Sequence, residues 1–321
     1  MDICVLGDTD DLSSVYLAWA ARRVGHRVLL LSEEGLGPAW SFAFDDSTVA
    51  SGVIETEVAS LDIGDLAGAF ARFDPEPGPP PGLELDPLEL QHFRAERRAG
   101  LHQLLDHLPC PVANRSSAGR SNGSKPLQME MLRAAGFSVP AWIVSNERDR
   151  VLDFVERLDG AAIYKAVSGL RSHVRKLDDE VLQRLGEGTS PVLVQAYVEG
   201  VDVRVHVVDE ECFGTEVTSL GVDYRFDGSL SYRVRDVPED IARRCQEVAR
   251  QEGLLLAGFD FRVDPEGEWF CLEVNPMPSF IPYEWATGQP IAEALLEVFE
   301  IGRQGRHQKA TPITSQQERE P

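Results

Sequence analysis

Phe259-Asp260-Phe261-Arg262-Val263-Asp264-Pro265-Glu266-Gly267-Glu268-Trp269-Phe270-Cys271-Leu272-Glu273-Val274-Asn275-Pro276 reads as two strands joined by a tight turn. If Glu266-Gly267 forms a two-residue loop, Asp260 falls directly opposite Glu273 on the partner strand. Period-two alternation then puts Asn275 on the same face, while Phe261, Val263, Leu272 and Val274 point to a core. A type I turn with Pro265 at its second position shifts the register by one instead, and separates the two carboxylates.

Carboxylates held directly opposite one another repel, so the arrangement calls for a cation between them. Magnesium takes hard oxygen ligands and commonly only one or two carboxylates, leaving the rest of its octahedron to water and phosphate. Asp260, Glu273 and Asn275 suit that chemistry. The competing reading is a surface hairpin whose acids are simply solvated.

Upstream, Val201 to Val208 alternates Val201, Val203, Val205 and Val207 with Asp202, Arg204 and His206, giving one apolar and one ionisable face. An arginine beside a magnesium site can fork onto a phosphoryl group. Arg204 could equally pair with Asp202 or Glu199 on an exposed face, and His206 reads as a hydrogen-bonded sheet residue. Further upstream, Lys125 precedes a helix and Lys165 ends an apolar strand. Each can serve phosphate as a point charge or be a plain surface lysine. Ser168-Gly169 could form a flexible lid whose N–H groups cover phosphates. Neither lysine lies in a P-loop pattern.

The remaining chain supplies a frame. Ile3 to Gly7, a helical pattern through Leu12, Val15, Tyr16, Trp19 and Val24, and the run Val28 to Leu31 make a βαβ start. It has too few glycines for a dinucleotide fingerprint. Asp74 to Pro87 is a proline-rich breaker, followed by a helix from Leu88 to Leu108. Then come a helix from Pro126 to Ala135 with Ser124 as N-cap, a strand near Ala141 to Val144, a helix Asp149 to Leu158 and a strand Ala161 to Lys165. Strands Val192–Ala196, Val201–Val208 and Cys212–Ser219, a helix Pro238–Gln251, the hairpin and a last helix Pro290–Phe299 complete an α/β region followed by an α+β region. Residues 302–321 are polar and aperiodic and read as a disordered tail.

At 321 residues the chain can hold two or three domains, and its formal net charge of −22 argues against a nucleic-acid or anionic-membrane partner. Five scattered cysteines show neither disulfide nor zinc spacing. With no signal-peptide pattern and no apolar run of bilayer length, the expected compartment is cytoplasmic.

The ordered set Ser124-Lys125-Pro126-Leu127-Gln128, Ile163-Tyr164-Lys165, Val194-Gln195-Ala196-Tyr197-Val198-Glu199-Gly200, Asp202-x-Arg204 and Leu272-Glu273-Val274-Asn275-Pro276 resembles the ATP-grasp ligases, in particular the RimK-like glutamate ligases and the graspetide macrocyclases. The resemblance runs from about Asn114 to Phe299. It implies an α/β N-terminal domain over 1–113 followed by an ATP-grasp fold of two α+β subdomains clasping ATP, 114–190 and 191–301. It implies ATP and Mg²⁺ (or Mn²⁺) as cofactors, adenine against the hinge at Ala196 to Val198 beside Gln195, and Lys165 near the ring and α-phosphate with Ser168 and Gly169 following. Lys125 would also reach phosphate, Glu199 or Asp202 would hold the ribose, and Arg204 would face the γ-phosphate. Asp260, Glu273 and Asn275 would bind the metal. Asp223-Tyr224-Arg225 is similar to an Asp-aromatic-Arg element of the graspetide branch, which makes Arg225 a substrate or phosphate contact. The sequence departs from the family at Ala196, where many relatives have Glu, at Pro276 to Phe280, which lacks the usual glycine, and in the N-terminal domain, which lacks graspetide motifs.

The implied activity is an ADP-forming carboxylate–amine ligase working through an acyl-phosphate on an amino acid or peptide. Its partner is then a small-molecule or peptide carboxylate, with a homodimer as a candidate assembly. Alternatives are a non-catalytic ATP- or peptide-binding protein of the same fold, a kinase that releases a phosphorylated product, or a macrocyclase closing an ester or amide.

Overall fold

The computed structural model describes residues 1–32, 35–44, 51–72, 79, 82–167, 175–177, 190–218 and 230–310. They fall into two compact units, Met1–Ser116 with Ala292–Pro321, and Ser117–Ile291.

In the first unit, β1 (Asp2–Gly7), α1 (Leu12–Arg23) and β2 (Arg27–Leu31) form the expected βαβ start. Three short strands follow, β3 (Trp40–Ala43), β4 (Val53–Thr56) and β5 (Ser60–Asp62), pairing antiparallel in a sheet of their own. After β6 (Leu66–Arg72), α2 (Pro87–His107) and β7 (Val112–Ala113), the main sheet reads β2-β1-β6-β7, all parallel. Helix α2 starts in a capping box, Asp86 accepting from Leu88 N and Glu89 N while Glu89 reaches back to Asp86 N. Its Leu101, Leu104 and Leu105 share one buried cluster with Cys4, Leu6, Trp40 and Ile54.

Helix α1 is oriented unlike an ordinary amphipathic helix. It buries Ser13, Ser14, Leu17, Ala18 and Ala21, leaving Leu12, Trp19 and Val24 exposed. The start of α1 approaches β1 closely, where a Cβ at Gly7 would overlap the Ser14 side chain, so a small residue is needed at that contact, while Leu17 packs further along the same face.

In the second unit come α3 (Lys125–Ala134), β8 (Trp142–Ser145), α4 (Arg148–Glu156), β9 (Ala162–Ala166), β10 (Arg175–Lys176) and β11 (Val192–Ala196), giving an antiparallel sheet β10-β9-β11-β8. Next are β12 (Val201–Val208), β13 (Glu211–Thr218), β14 (Ser231–Val234), α5 (Glu239–Gln251), β15 (Leu256–Val263) and β16 (Trp269–Asn275), forming the antiparallel sheet β14-β13-β12-β15-β16. A short helix α6 (Ile281–Thr287) precedes the long α7 (Ile291–Ala310).

The five-stranded sheet packs Val203, Val205, Val207, Phe259 and Phe261 against Ile241, Cys245 and Val248 of α5. Each fully buried phenylalanine contributes about 1.5–3 kcal/mol of transfer free energy. With this face taken by the core, the alternating polar residues of β12, β15 and β16 share the opposite face.

Two expectations need correction. Residues 302–310 continue α7 rather than starting a disordered tail, and the last helix belongs with the first unit rather than with the segment 191–301. Phe299 is fully buried there, its ring filling the space a side chain at Gly68 would occupy. Residues 311–321 lie outside the described residues. All five cysteines are free, and no helix among the described residues is long and apolar enough to cross a membrane.

Candidate active site

The hairpin that decides the site reaches the expected pairing by an unexpected route. Gly267 N donates to Asp264 O at 3.0 Å and Asp264 N to Glu268 O at 3.1 Å, so Pro265 takes the second turn position and Gly267, at φ +88°, closes a three-residue loop. Nearest the turn the register is Val263↔Trp269 and Phe261↔Cys271, the frame that would separate the carboxylates. A β-bulge between Asp260 and Phe261 then takes up Leu272 as an extra residue and restores Asp260↔Glu273. Cys271 and Val274 are buried, whereas Leu272, expected in the core, is only partly so.

Arg204 on β12 is directly opposite Asp260 on β15, which is directly opposite Glu273 on β16. Arg204 Nε stands 2.7 Å from Asp260 Oδ1, and its Nη2 donates to Oδ2 at 3.0 Å. Asp260 is therefore a partner of Arg204, at a buried position rather than on an exposed face. At the other end, Lys125 Nζ lies 3.1 Å from Glu273 Oε2. The result is an alternating row of charge, Arg204, Asp260, Glu273 and Lys125, gathered from three strands and a helix N-terminus. Ser124 caps that helix by accepting from Leu127 N, which fixes where Lys125 starts.

Beneath the row, burial first and then the negative field of Asp260 and Glu273 push the Cys271 thiol well above its ordinary range, so it stays protonated. His206 is fully buried on the Arg204 side, its Nε2 3.1 Å from Ser279 O and its ring edge-on to Tyr283. Burial, reinforced by Arg204, pulls its pKa down to about 3, and only the Ser279 contact opposes this. It is a neutral sheet residue, as expected. Tyr283 on α6 also carries the Arg204 guanidinium 5.8 Å above its ring.

Asn275 Oδ1 accepts from Met277 N at 2.8 Å, an Asx turn that orients the amide on the strand carrying Glu273. Asp202 is held by Arg262 Nη1 through both carboxylate oxygens, at 2.8 and 2.9 Å, and Arg262 Nη2 donates to Tyr197 Oη at 3.2 Å. The connection Tyr197–Gly200 joins the two sheets, with Tyr197 N bonded to Ala161 O and Ala196 N to Ala141 O. Gly200 passes so close to the Val263 carbonyl that a Cβ there would overlap it. Val198 is half-buried and Glu199 exposed. On β9 and β11, Lys165 opposes Leu193 and Ile163 opposes Gln195, so Lys165 and Gln195 share the face turned away from the α4 core, both buried. Ser168, Gly169 and Arg225 lie outside the described residues.

Sequence reading missed Arg262 and Tyr283, and quoted Gln128 in the Ser124–Gln128 motif without giving it a role. For Arg262 the signal was available, since it is two residues from Asp260 and hence on the same face. Gln128 is buried in α3, donating to Val274 O at 2.9 Å and accepting from Val274 N at 3.1 Å.

Two carboxylates and an amide carbonyl on one face make an all-oxygen donor set, which suits Mg²⁺ or Mn²⁺ better than zinc. Among the described residues no group of three or more His, Cys, Asp or Glu side chains offers a competing metal site.

No family model matches the chain. Among solved structures, it superposes on PsnB, described as an ATP-grasp ligase complexed with minimal precursor, with a TM-score of 0.80 at 23% identity, over 94% of this chain and 98% of that one. The chain has the ATP-grasp fold. A second neighbour of similar fit is macrocyclase MdnC bound with precursor peptide MdnA from Microcystis aeruginosa, at TM-score 0.79 and 18% identity, covering 93% of this chain and 99% of that one. In sequence, the chain is 24% identical over 242 residues to a "Probable alpha-L-glutamate ligase" of Vibrio cholerae, 65% of this chain and 79% of that protein.

Proposed function

We propose that this ATP-grasp protein is an ADP-forming ligase that activates a peptide carboxylate with Mg²⁺-ATP and joins it to an amine, as a peptide-modifying enzyme of a biosynthetic pathway. The observation that carries the reading is the row Arg204, Asp260, Glu273, Lys125, in which two opposed acids lie between two cations. A protein that only docked a peptide would have no use for opposed carboxylates so close to an arginine fork. The V. cholerae relative's name and the precursor-bound neighbours support the ligase class and the peptide substrate. A PsnB structure with Mg and ADP supports the nucleotide and the metal.

In this reading residues 117–190 and 191–291, both within the second unit, are the two subdomains that clasp ATP. The metal is held by Asp260, Glu273 and Asn275, and when bound it neutralises phosphate charge as a Lewis acid. The hinge from Gln195 to Val198 holds adenine, Glu199 or Asp202 the ribose, and Lys165 the α-phosphate, with Ser168 and Gly169 covering the phosphates. A substrate carboxylate oxygen attacks the γ-phosphorus, ADP leaves, and an amine nitrogen then displaces inorganic phosphate from the acyl-phosphate, losing its proton to solvent. Arg204, Lys125 and Lys165 stabilise the charge moving onto the transferred group, while Arg225 contacts substrate.

A second reading, closure of an ester or amide within one peptide, draws its support from the structural likeness. That likeness includes macrocyclase MdnC, at a TM-score of 0.79 over 93% of this chain.

One assay tests both. The protein is incubated with Mg²⁺-ATP and a panel of amino acids and acidic peptides, ADP is measured, and products are weighed. Substrate-dependent ADP release with loss of one water from a single peptide indicates macrocyclisation, and condensation of two molecules indicates ligation. Retained phosphate would make the protein a kinase, and tight ATP binding without turnover on any carboxylate a binder.

A further inference from the structure

Strand β16 is the outer strand of its sheet, so on one side its backbone groups have no neighbouring strand. Close to the turn that side is taken by Ser138, whose carbonyl accepts from Cys271 N at 2.8 Å. Beyond the bulge it is taken by Gln128, whose carboxamide bonds both the N–H and the C=O of Val274, as a strand residue would. Gln128 is 4% exposed, and its amide nitrogen also lies 3.4 Å from Ser121 Oγ.

Val274 is the residue between Glu273 and Asn275, and Gln128 is one helical turn beyond Lys125, the partner of Glu273. The bulge at Leu272 is what turns Glu273 toward Asp260, and the two frames it separates differ by a single residue. We infer that Gln128 is a positioning residue that locks β16 in the bulged frame, and so sets the distance between the Asp260–Glu273 pair and Lys125. Without it, Val274 N–H and C=O lose their partner and the frame that places Glu273 beside Asp260 loses its anchor. This rests on the metal reading of the site proposed above.

The test uses Gln128→Met, which keeps length and volume but bonds neither group, and Gln128→Glu, which keeps an acceptor for Val274 N–H. Amide hydrogen exchange on the ligand-free chain reads the anchor directly. Exchange across Cys271–Met277 should be faster in Gln128→Met than in wild type, with Gln128→Glu between them. Calorimetric titration with ADP, with and without Mg²⁺, reads the consequence. The tightening by Mg²⁺ should fall about 10- to 100-fold in Gln128→Met, while metal-free ADP affinity holds. A residue that merely packs would weaken both titrations alike, and that result, or unchanged exchange, would overturn the inference. If Gln128→Met does not fold, Gln128→Glu carries both measurements, and wild-type behaviour there would overturn it equally. A wild-type chain whose ADP binding ignores Mg²⁺ would remove the metal reading itself, a failure seen before any variant is made.

Discussion

Arg204 and Asp260 are cross-strand neighbours whose two-point contact, 2.7 Å from Nε and 3.0 Å from Nη2, is buried beside Tyr283. A lysine cannot reproduce that fork, because an ammonium is a single point charge. Arg204→Lys should therefore keep the fold and lose about 100-fold in turnover, measured as substrate-dependent ADP release. Wild-type turnover in this variant would take Arg204 out of the transferring centre.

The fork depends on a missing side chain opposite it. A Cβ at Gly258 would overlap Arg204 Nη1 and come within 2.6 Å of Pro278 Cβ. Gly258→Ala should displace the guanidinium from Asp260 and cost about 1–3 kcal/mol of stability by overpacking, read by urea denaturation. Activity should fall more steeply than that stability loss explains, since geometry at the phosphoryl group is what moves.

Acid stability should carry the signature of His206. Its folded pKa, about 3, is far below the ordinary histidine value of 6.5, so between these limits the unfolded chain binds the extra proton. The stability contributed by keeping it neutral is complete above 6.5 and is lost as pH falls toward 3, by up to about 1.4 kcal/mol per pH unit. Urea midpoints of wild type and His206→Gln from pH 7 to 4.5 check this, and the variant should show the shallower decline.

Much of this arrangement was legible in the sequence, and the part that was not has a physical cause. Alternation along Val201–Val208 fixed one apolar and one ionisable face because side-chain direction in a strand depends only on parity. The hairpin was harder. Both turn types were compatible with Asp264-Pro265-Glu266-Gly267, and the bulge at Leu272 that reconciles the observed turn with the Asp260–Glu273 pairing has no marker of its own, since leucine is at home in either frame. Strands β3, β4 and β5 escaped because runs of three or four residues are too short for a period to declare itself. Helix α1 carries a readable apolar stripe, yet packs Ser13, Ser14, Leu17, Ala18 and Ala21 inward, with Ser14 seated against Gly7 on a strand the helix does not contain. Gln128 stands in the Ser124–Gln128 motif, but its role is not readable until the edge of β16 is seen beside it.

Glu273 separates structural from catalytic roles. It is about a quarter exposed and pairs with Lys125 at a partly exposed position, so Glu273→Ala should shift unfolding by about 1 kcal/mol. Turnover should nonetheless fall to background, because a metal ligand is lost. Thermal unfolding and ADP release on the same sample distinguish the two effects.

The most direct measurement is a titration of Mn²⁺ in the presence of ADP, followed by the electron paramagnetic resonance of the free ion, on wild type and on Asp260→Asn and Glu273→Ala. Opposed carboxylates that share a divalent ion predict saturable uptake by the wild-type chain and its loss in both variants. Equal uptake by all three would contradict the account.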